Sequence, residues 1–395
     1  MNYQFSKRVS GLQPSAIREI LKATADPRLI SFAAGNPAPE AFPCESVREI
    51  SDRLLEKNPV LALQYSVTEG YTPLRKTVAK YMSEKFNVGR DFDDIIITSG
   101  AQQVMELAAK TFLNYGDTII CEDPSFVGSL NAFRSLGVKL KGVRIEADGM
   151  DMEAFKKALE DDKNVKLVYT IPNFQNPSGT CMSLEKRKEL YDLCKKHGLV
   201  IIEDNPYGEL RFEGENIPCI KSFDEDGLVI YAGSFSKVLS PGMRVGYAIA
   251  PKEIIAKMTV CKQTEDVHTN IWAQAVANAF MTEYDFEGHL AKIRRIYKHK
   301  AELMESLLDE KVCPNISYNK IRGGLFIWAT LPDSFDMLEV VKKAVEHKVA
   351  VVPGTAFLND ESAKTNSFRL NFSTPTDEQI IKGIDILADV LNSMK

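Results

Sequence analysis

The stretch Leu228-Val229-Ile230-Tyr231-Ala232-Gly233-Ser234-Phe235-Ser236-Lys237, with Arg244 seven residues further on, decides how this chain of 395 residues is read. Its first half is a short β-rich run, and its second half is a polar turn that sets a lysine after two serines and ahead of glycine and arginine. A lysine amine forms a Schiff base with an aldehyde. Ser234, Ser236 and Arg244 suit the phosphate of one such aldehyde, pyridoxal phosphate. A solvated lysine in a polar turn fits the same residues, so the rest of the chain has to decide.

Outward from this run, the pattern repeats. From about Asp94, short β-branched runs alternate with helical periodicity, as in a parallel sheet covered by helices. Strands are expected at Ile95 to Thr98, Thr118 to Cys121, Lys139 to Ile145, Lys166 to Ile171, Leu199 to Glu203, Leu228 to Tyr231 and Val245 to Ala250. Helices lie between them, such as Gln102 to Leu113, with Val104, Leu107, Ala108 and Phe112 on one face. After Thr264 come long amphipathic helices, including Tyr284 to Leu308, and then strands near Gly324 to Trp328, Val349 to Val352 and Phe368 to Phe372.

The expected fold is therefore α/β, a mainly parallel seven-stranded sheet sandwiched by helices, with a smaller α+β domain. Residues 1–42 are expected to form an arm and part of the small domain, 43–283 the large cofactor-binding domain, and 284–395 the small C-terminal domain. The stretch up to Phe42 has no clear periodicity and is expected to wrap onto the small domain or a neighbouring subunit.

Composition narrows the function classes. With 44% hydrophobic and 26% charged residues the chain is ordinary for a globular enzyme. A net charge of -5, with no dense basic run, argues against nucleic acid. The seven cysteines are odd in number and contain no Cys-x-x-Cys, and the five histidines form no His-Glu-x-x-His, so neither disulfides nor a metal site is expected. No signal peptide or membrane span is visible, and the cytoplasm is the expected location.

Pyridoxal phosphate chemistry needs more than a lysine, and the strand ends offer each further part. Asp204, ending Leu199 to Glu203, suits the pyridine nitrogen, whose protonation lets the ring withdraw electrons. Asn176, in Asn176-Pro177-Ser178-Gly179, and Tyr207 suit the phenolic oxygen as donors. Ala101 and Gln102 open a helix whose backbone N–H groups make an anion cup. Phe126 suits the ring face. Arg369, between apolar neighbours in Phe368-Arg369-Leu370, suits a substrate α-carboxylate. Each has a plainer reading: a turn aspartate, a plain Asn-Pro-Ser-Gly turn, an ordinary βα turn, a core phenylalanine, the charged outer face of an edge strand.

Taken in order, Tyr65, Ser99-Gly100-x-Gln102, Phe126, Asn176-Pro-x-Gly, Asp204-x-x-Tyr207, Ser234-x-Ser236-Lys237, Arg244 and Arg369 resemble the fold type I pyridoxal-phosphate aminotransferases of class I/II over essentially the whole chain. Ser15-Ala16-Ile17-Arg18, Gln64-Tyr65-Ser66 and Pro172-Asn173-Phe174-Gln175-Asn176-Pro177 resemble the subgroup of kynurenine/2-aminoadipate and aromatic aminotransferases. The resemblance implies Lys237 as Schiff base and proton shuttle, with pyridoxal 5'-phosphate held by Ala101, Gln102, Phe126, Asn176, Asp204, Tyr207, Ser234, Ser236 and Arg244. It implies Arg369, Asn176, Arg18 and Gly35 at the substrate, and Tyr65 reaching the cofactor of the partner subunit, hence a homodimer. Ala34-Gly35-Asn36-Pro37 departs from the Gly-Gly-apolar pattern usual in the subgroup.

The expected activity is transfer of an amino group from an L-amino acid, aromatic, 2-aminoadipate-like or broad in range, to 2-oxoglutarate by a ping-pong mechanism. Ser234-x-x-Lys237 also fits a serine acyl-transferase pair, but the companion Ser-Asp-Asn and Lys-Thr-Gly elements are missing. A β-eliminating lyase using the same cofactor remains an alternative. So does a non-catalytic aminotransferase-like sensor, although the stretch before Gly35 is short for a DNA-binding domain.

Overall fold

The β-branched runs do pair into one large sheet. The computed structural model of the protein describes residues 3–6, 28–360 and 362–395. After a short strand β1 (Ile30–Ser31) come helices α1 (Cys44–Lys57), α2 (Pro59–Leu63) and α3 (Thr72–Phe86). Then strands and helices alternate: β2 (Asp93–Thr98), α4 (Ala101–Phe112), β3 (Thr118–Asp123), α5 (Val127–Ser135), β4 (Lys139–Glu146), β5 (Gly149–Met150), α6 (Met152–Asp161), β6 (Val165–Thr170) and α7 (Leu184–His197). Strands β7 (Val200–Asp204), β8 (Val229–Ser234) and β9 (Gly246–Pro251) complete this part.

The sheet order is β2-β9-β8-β7-β6-β3-β4-β5. Strands β8, β7, β6, β3 and β4 run parallel, and β2 shares their direction because β9 lies antiparallel between β2 and β8. The seven expected strands are all present. The eighth, β5, is a two-residue antiparallel addition beside β4, too short to show as a run in the sequence.

Both faces of this sheet are covered, which is why its strands read as continuous apolar runs rather than alternating ones. Ile119, Cys121, Leu167, Tyr169, Ile202 and Ile230 join the core shared with α4 and α5, while Ile120, Val168, Ile201 and Val229 pack with α6 and α7. The helix ends follow their capping residues. Asp151 accepts from Glu153 N and Ala154 N at the start of α6, and Gly198 closes α7 in the left-handed conformation at φ 66.

Helices α8 (Lys252–Gln263), α9 (Ile271–Glu283) and α10 (Phe286–Lys311) lead to a second, three-stranded sheet. The long helix α10 starts two residues later than its periodicity suggests, because Asp285 caps it by accepting from Gly288 N. Strand β10 (Phe326–Thr330), helix α11 (Met337–Glu346), strands β11 (Val349–Ala350), β12 (Val352–Pro353) and β13 (Ser367–Asn371), and helix α12 (Asp377–Asn392) follow. The order β10-β13-β12 puts β13 in the middle. Strand β1 pairs with β11, and Phe32 O accepts from Asn371 N, so the described part of the N-terminal stretch lies along this sheet.

Candidate active site

Five parallel strands deliver their carboxyl ends to one edge of the large sheet, and the loops there enclose a cavity of about 370 Å³. A ligand site at that edge is the general rule for open α/β sheets. Its lining includes Gly35, Ala101, Gln102, Phe126, Asn176, Asp204, Tyr207, Ser234, Ser236, Lys237, Arg244 and Arg369. Twelve of the fourteen sequence-derived residues thus meet on one cavity. Tyr65 does not: it is 83% exposed on the surface beyond α2, edge-on to His268 at 5.9 Å. Arg18 lies outside the described residues.

Lys237 follows β8 through the turn Ser234 to Ser236. Its Nζ donates to Gly35 O at 2.7 Å. Burial first, then the charges of Arg369 and Arg244, lower its ammonium to about 8. At that value about one lysine in ten is the free amine at pH 7, against fewer than about one in a thousand for an unperturbed lysine. The nucleophilic form is therefore enriched near neutrality.

Asp204 ends β7 and is fully enclosed. Burial raises its carboxyl to about 7, and the hydrogen bond from Tyr169 opposes the rise. Its Oδ2 accepts from the Tyr169 hydroxyl at 2.8 Å, while its Oδ1 is buried with no partner. A buried acceptor without a donor is costly, so this oxygen calls for a donor from a ligand in the cavity.

Asn176 and Tyr207 adjoin, Asn176 Nδ2 to Tyr207 Oη at 3.4 Å, and Asn176 Oδ1 accepts from Arg369 Nη1 at 2.7 Å. The loop bearing Asn176 is tied down from both sides. Gln175 Nε2 donates to Glu122 Oε2 and Pro124 O, and Gln175 Oε1 accepts from Ser178 N. The buried Arg187 donates to Pro172 O at 2.7 Å and Asn173 Oδ1 at 2.8 Å.

The sequence allowed Arg369 to be the outer face of an edge strand, and the structure corrects that. Strand β13 is central, and Arg369 is only 2% exposed. Its guanidinium lies 4.1 Å from the Phe326 ring centre and 4.9 Å from that of Phe357. Nη2 donates to Ala33 O, and Nε has no partner. Burial lowers the group to about 10, so it stays charged at neutral pH. Among the described residues no carboxylate pairs with it, which leaves a desolvated cation matched to an anionic ligand.

At the other end of the cavity, β9 sits between Ser234 and Thr98, both of which face Gly246. A Cβ on Gly246 would lie 2.6 Å from Gly100 C and 2.7 Å from Ala101 N, so only glycine lets β9 approach the start of α4. Arg244 precedes β9 in the left-handed region at φ 52 and donates to Ser99 O at 3.1 Å. The start of α4, the Ser234 and Ser236 side chains and Arg244 line this end of the cavity with groups of the kind that bind an anion. Ser99 is not part of the lining. Its hydroxyl turns away to Asp266 Oδ2 at 2.7 Å.

Sequence reasoning missed Tyr169, Ser129, Glu122, Phe326 and Phe357. Tyr169 carried a signal: a phenol in an otherwise apolar buried strand needs a partner. Phe326 and Phe357 gave none, since their place beside Arg369 depends on pairing between distant segments.

An α/β sheet with a buried lysine, an unsatisfied acid and an anion cup at its carboxyl edge marks an enzyme of pyridoxal-phosphate type. The chain belongs to the aminotransferase class I and II family, matched over residues 27–387, and is thus a transaminase. The aromatic-amino-acid aminotransferase 1 of Thermococcus litoralis is 40% identical over 98% of this chain and 94% of its own length. The structure of Pyrococcus horikoshii kynurenine aminotransferase, in complex with PMP, KYN as substrates and KYA as products, superposes with a TM-score of 0.94 at 38% identity, covering 98% of this chain and 97% of that one. The alpha-aminoadipate aminotransferase of Thermus thermophilus, complexed with N-(5'-phosphopyridoxyl)-L-leucine, gives 0.90 at 36% identity, over 99% of this chain and 97% of that one.

Proposed function

We propose that this aminotransferase holds pyridoxal 5'-phosphate at Lys237 and passes the amino group of an L-amino acid, aromatic, 2-aminoadipate-like or broad in range, to 2-oxoglutarate in two half-reactions. One observation carries the residue roles. The lowered lysine, the acid with an unpartnered oxygen and the buried unpaired arginine line one cavity with a glycine-floored anion cup. The bound cofactor supplies the electron sink and carries the amino group between the half-reactions.

The residues divide the remaining work. Lys237 anchors the cofactor and, once released by the substrate amine, moves a proton at the substrate Cα. Asp204 Oδ1, buried without a partner, would accept from the ring nitrogen and keep it protonated. Asn176 and Tyr207 would donate to the phenolic oxygen, and Phe126 would cover a ring face. Ala101, Gln102, Ser234, Ser236 and Arg244 hold the phosphate. Arg369, with Asn176 and Gly35, would take the α-carboxylate, and Arg18, outside the described residues, is proposed as a substrate-binding residue on the resemblance alone.

The division into residues 1–42, 43–283 and 284–395 belongs to the same proposal, and the separation of the large sheet from the three-stranded C-terminal sheet supports it. So does a homodimer in which Tyr65 completes the partner's phosphate site. Its support is an apolar surface at Val60, Leu63 and Tyr65, which are 71%, 75% and 83% exposed. No helix among the described residues is long and apolar enough to cross a membrane. A cytoplasmic location is proposed on the seven cysteines, all of them unpaired.

The test is a panel of amino donors mixed with the cofactor-loaded enzyme, following conversion of the visible band to that of the aminated cofactor, and then oxo-acid formation with 2-oxoglutarate. Lys237→Ala is expected to lose both the lysine-bound band and at least about a thousandfold in turnover. Normal steady-state rates in that variant would overturn the role of Lys237, and release of pyruvate and ammonia from cysteine-type donors would favour the lyase.

A further inference from the structure

Behind Asp204 lies a short chain of hydroxyls that the reaction as described does not use. Tyr169 sits on β6, fully buried, with its ring edge-on to Phe133 at 5.4 Å. Its hydroxyl donates to Asp204 Oδ2 at 2.8 Å and accepts from Ser129 Oγ at 2.8 Å. With Asp204 ionised the direction of the chain is forced. A carboxylate only accepts, and a phenol has one proton, so Tyr169 gives its proton to Asp204 and must receive from Ser129. Accepting from Ser129 polarises the phenol and strengthens its bond to the carboxylate.

We propose that Tyr169 is a positioning residue of the cofactor site: its hydroxyl occupies Asp204 Oδ2, presents Oδ1 alone to the ring nitrogen, and holds the carboxylate as the anion that keeps that nitrogen protonated. The inference rests on the assignment of Asp204 to the ring nitrogen. A proton between a buried carboxylate and a pyridine nitrogen lies with whichever is the stronger base. Anything that stabilises the carboxylate makes it the weaker base and leaves the proton on the ring.

Burial of the carboxyl pushes the other way, while the nearby Glu122, raised to about 7 chiefly by burial, feels the Asp204 charge in turn. Thr170, Ile171 N and Gln175 already satisfy Glu122, so it has little left to offer Asp204. Tyr207 shares the cavity but is turned toward Asn176. Arg369 is likewise engaged with Asn176 Oδ1 and Ala33 O. The described contacts give Asp204 one side-chain donor, Tyr169.

The test is Tyr169→Phe, which keeps the ring and its packing on Phe133 and deletes the hydroxyl. Parent, Tyr169→Phe and Asp204→Asn are loaded with pyridoxal phosphate carrying 15N in the ring, and the nitrogen resonance is read. Cofactor retention is measured alongside by dialysis. Asp204→Asn is expected to give the resonance of an unprotonated ring. Tyr169→Phe is expected to move it part of the way there and to weaken retention about tenfold, as for one hydrogen bond to a charged group. If Asp204→Asn moves the resonance and Tyr169→Phe leaves it at the parent position, Tyr169 only packs and the inference is overturned. If Asp204→Asn itself leaves it in place, the assignment of Asp204 fails, and this inference with it.

Discussion

A guanidinium packed over two phenyl rings cannot be exchanged for an ammonium without loss. Arg369 reaches Asn176 and Ala33 O with two nitrogens while its Cζ lies over the Phe326 and Phe357 rings, and an ammonium offers neither the fork nor a delocalised plane. Arg369→Lys is therefore expected to reduce kcat/KM for every amino donor by about tenfold to a hundredfold, mostly through KM. Steady-state kinetics over the donor panel would check it; a loss confined to one class of donor would show that Arg369 reads the side chain instead. At this scale the sequence was informative wherever a polar residue followed a strand. Lys237, Asp204, Asn176 and Ser234 are legible because such residues end up at the carboxyl edge whatever the details of packing. Tyr169 was hidden because its strand was read by its apolar neighbours alone.

The loops around the cavity are positioned by elements whose spacing depends on single small residues. Gly246 opens β9 against the start of α4, where a Cβ would meet Gly100 C and Ala101 N at 2.6 and 2.7 Å. Both contacts are backbone, which cannot swing aside as a side chain would. Gly246→Ala is expected to push β9 and the start of α4 apart and to weaken pyridoxal phosphate binding by about thirtyfold or more, at a stability cost of about 1–3 kcal/mol. Unphosphorylated pyridoxal should lose much less, so comparing the two titrations separates damage to the anion cup from general unfolding. The element boundaries illustrate what a sequence holds. Strands β3, β6 and β7 fall within two residues of their β-branched runs, because parallel strands buried on both faces leave an unbroken apolar signature. Strand β8 runs on to Ser234, past Tyr231, because pairing with β9 extends it. The sequence does not record that β13 is the central strand of its sheet, since the order of strands is a matter of distant pairing.

For the molecule as a whole, burying two acids ties stability to pH. Burial raises Asp204 and Glu122 each to about 7, far above their unfolded values. A group raised in this way stabilises the fold fully below its unfolded pKa, and that contribution is lost as pH rises through the folded pKa. The cofactor-free protein should thus weaken between about pH 4 and pH 7 on account of these two groups. Asp204→Asn removes one ionisation, so its urea midpoint is expected to match the parent near pH 4 and to exceed it by pH 8, a gain on the order of 4 kcal/mol. A difference that does not change with pH would show that the carboxyl never ionises in its buried setting. Pyridoxal phosphate should reverse the order, because the parent alone can then pair its carboxylate with the ring.

Strand β9 has a consequence of its own. Its reversed polarity turns an amino end toward an edge where every neighbour in the sheet shows a carboxyl end. The chain therefore enters that edge at Arg244 instead of leaving it, which brings a cation and a side-chain-free residue between two hydroxyl-bearing turns that lie two strand spacings, about 10 Å, apart. A seventh strand pointing the common way would have laid a row of carbonyl oxygens there, and a doubly charged anion would have met repulsion in place of a socket.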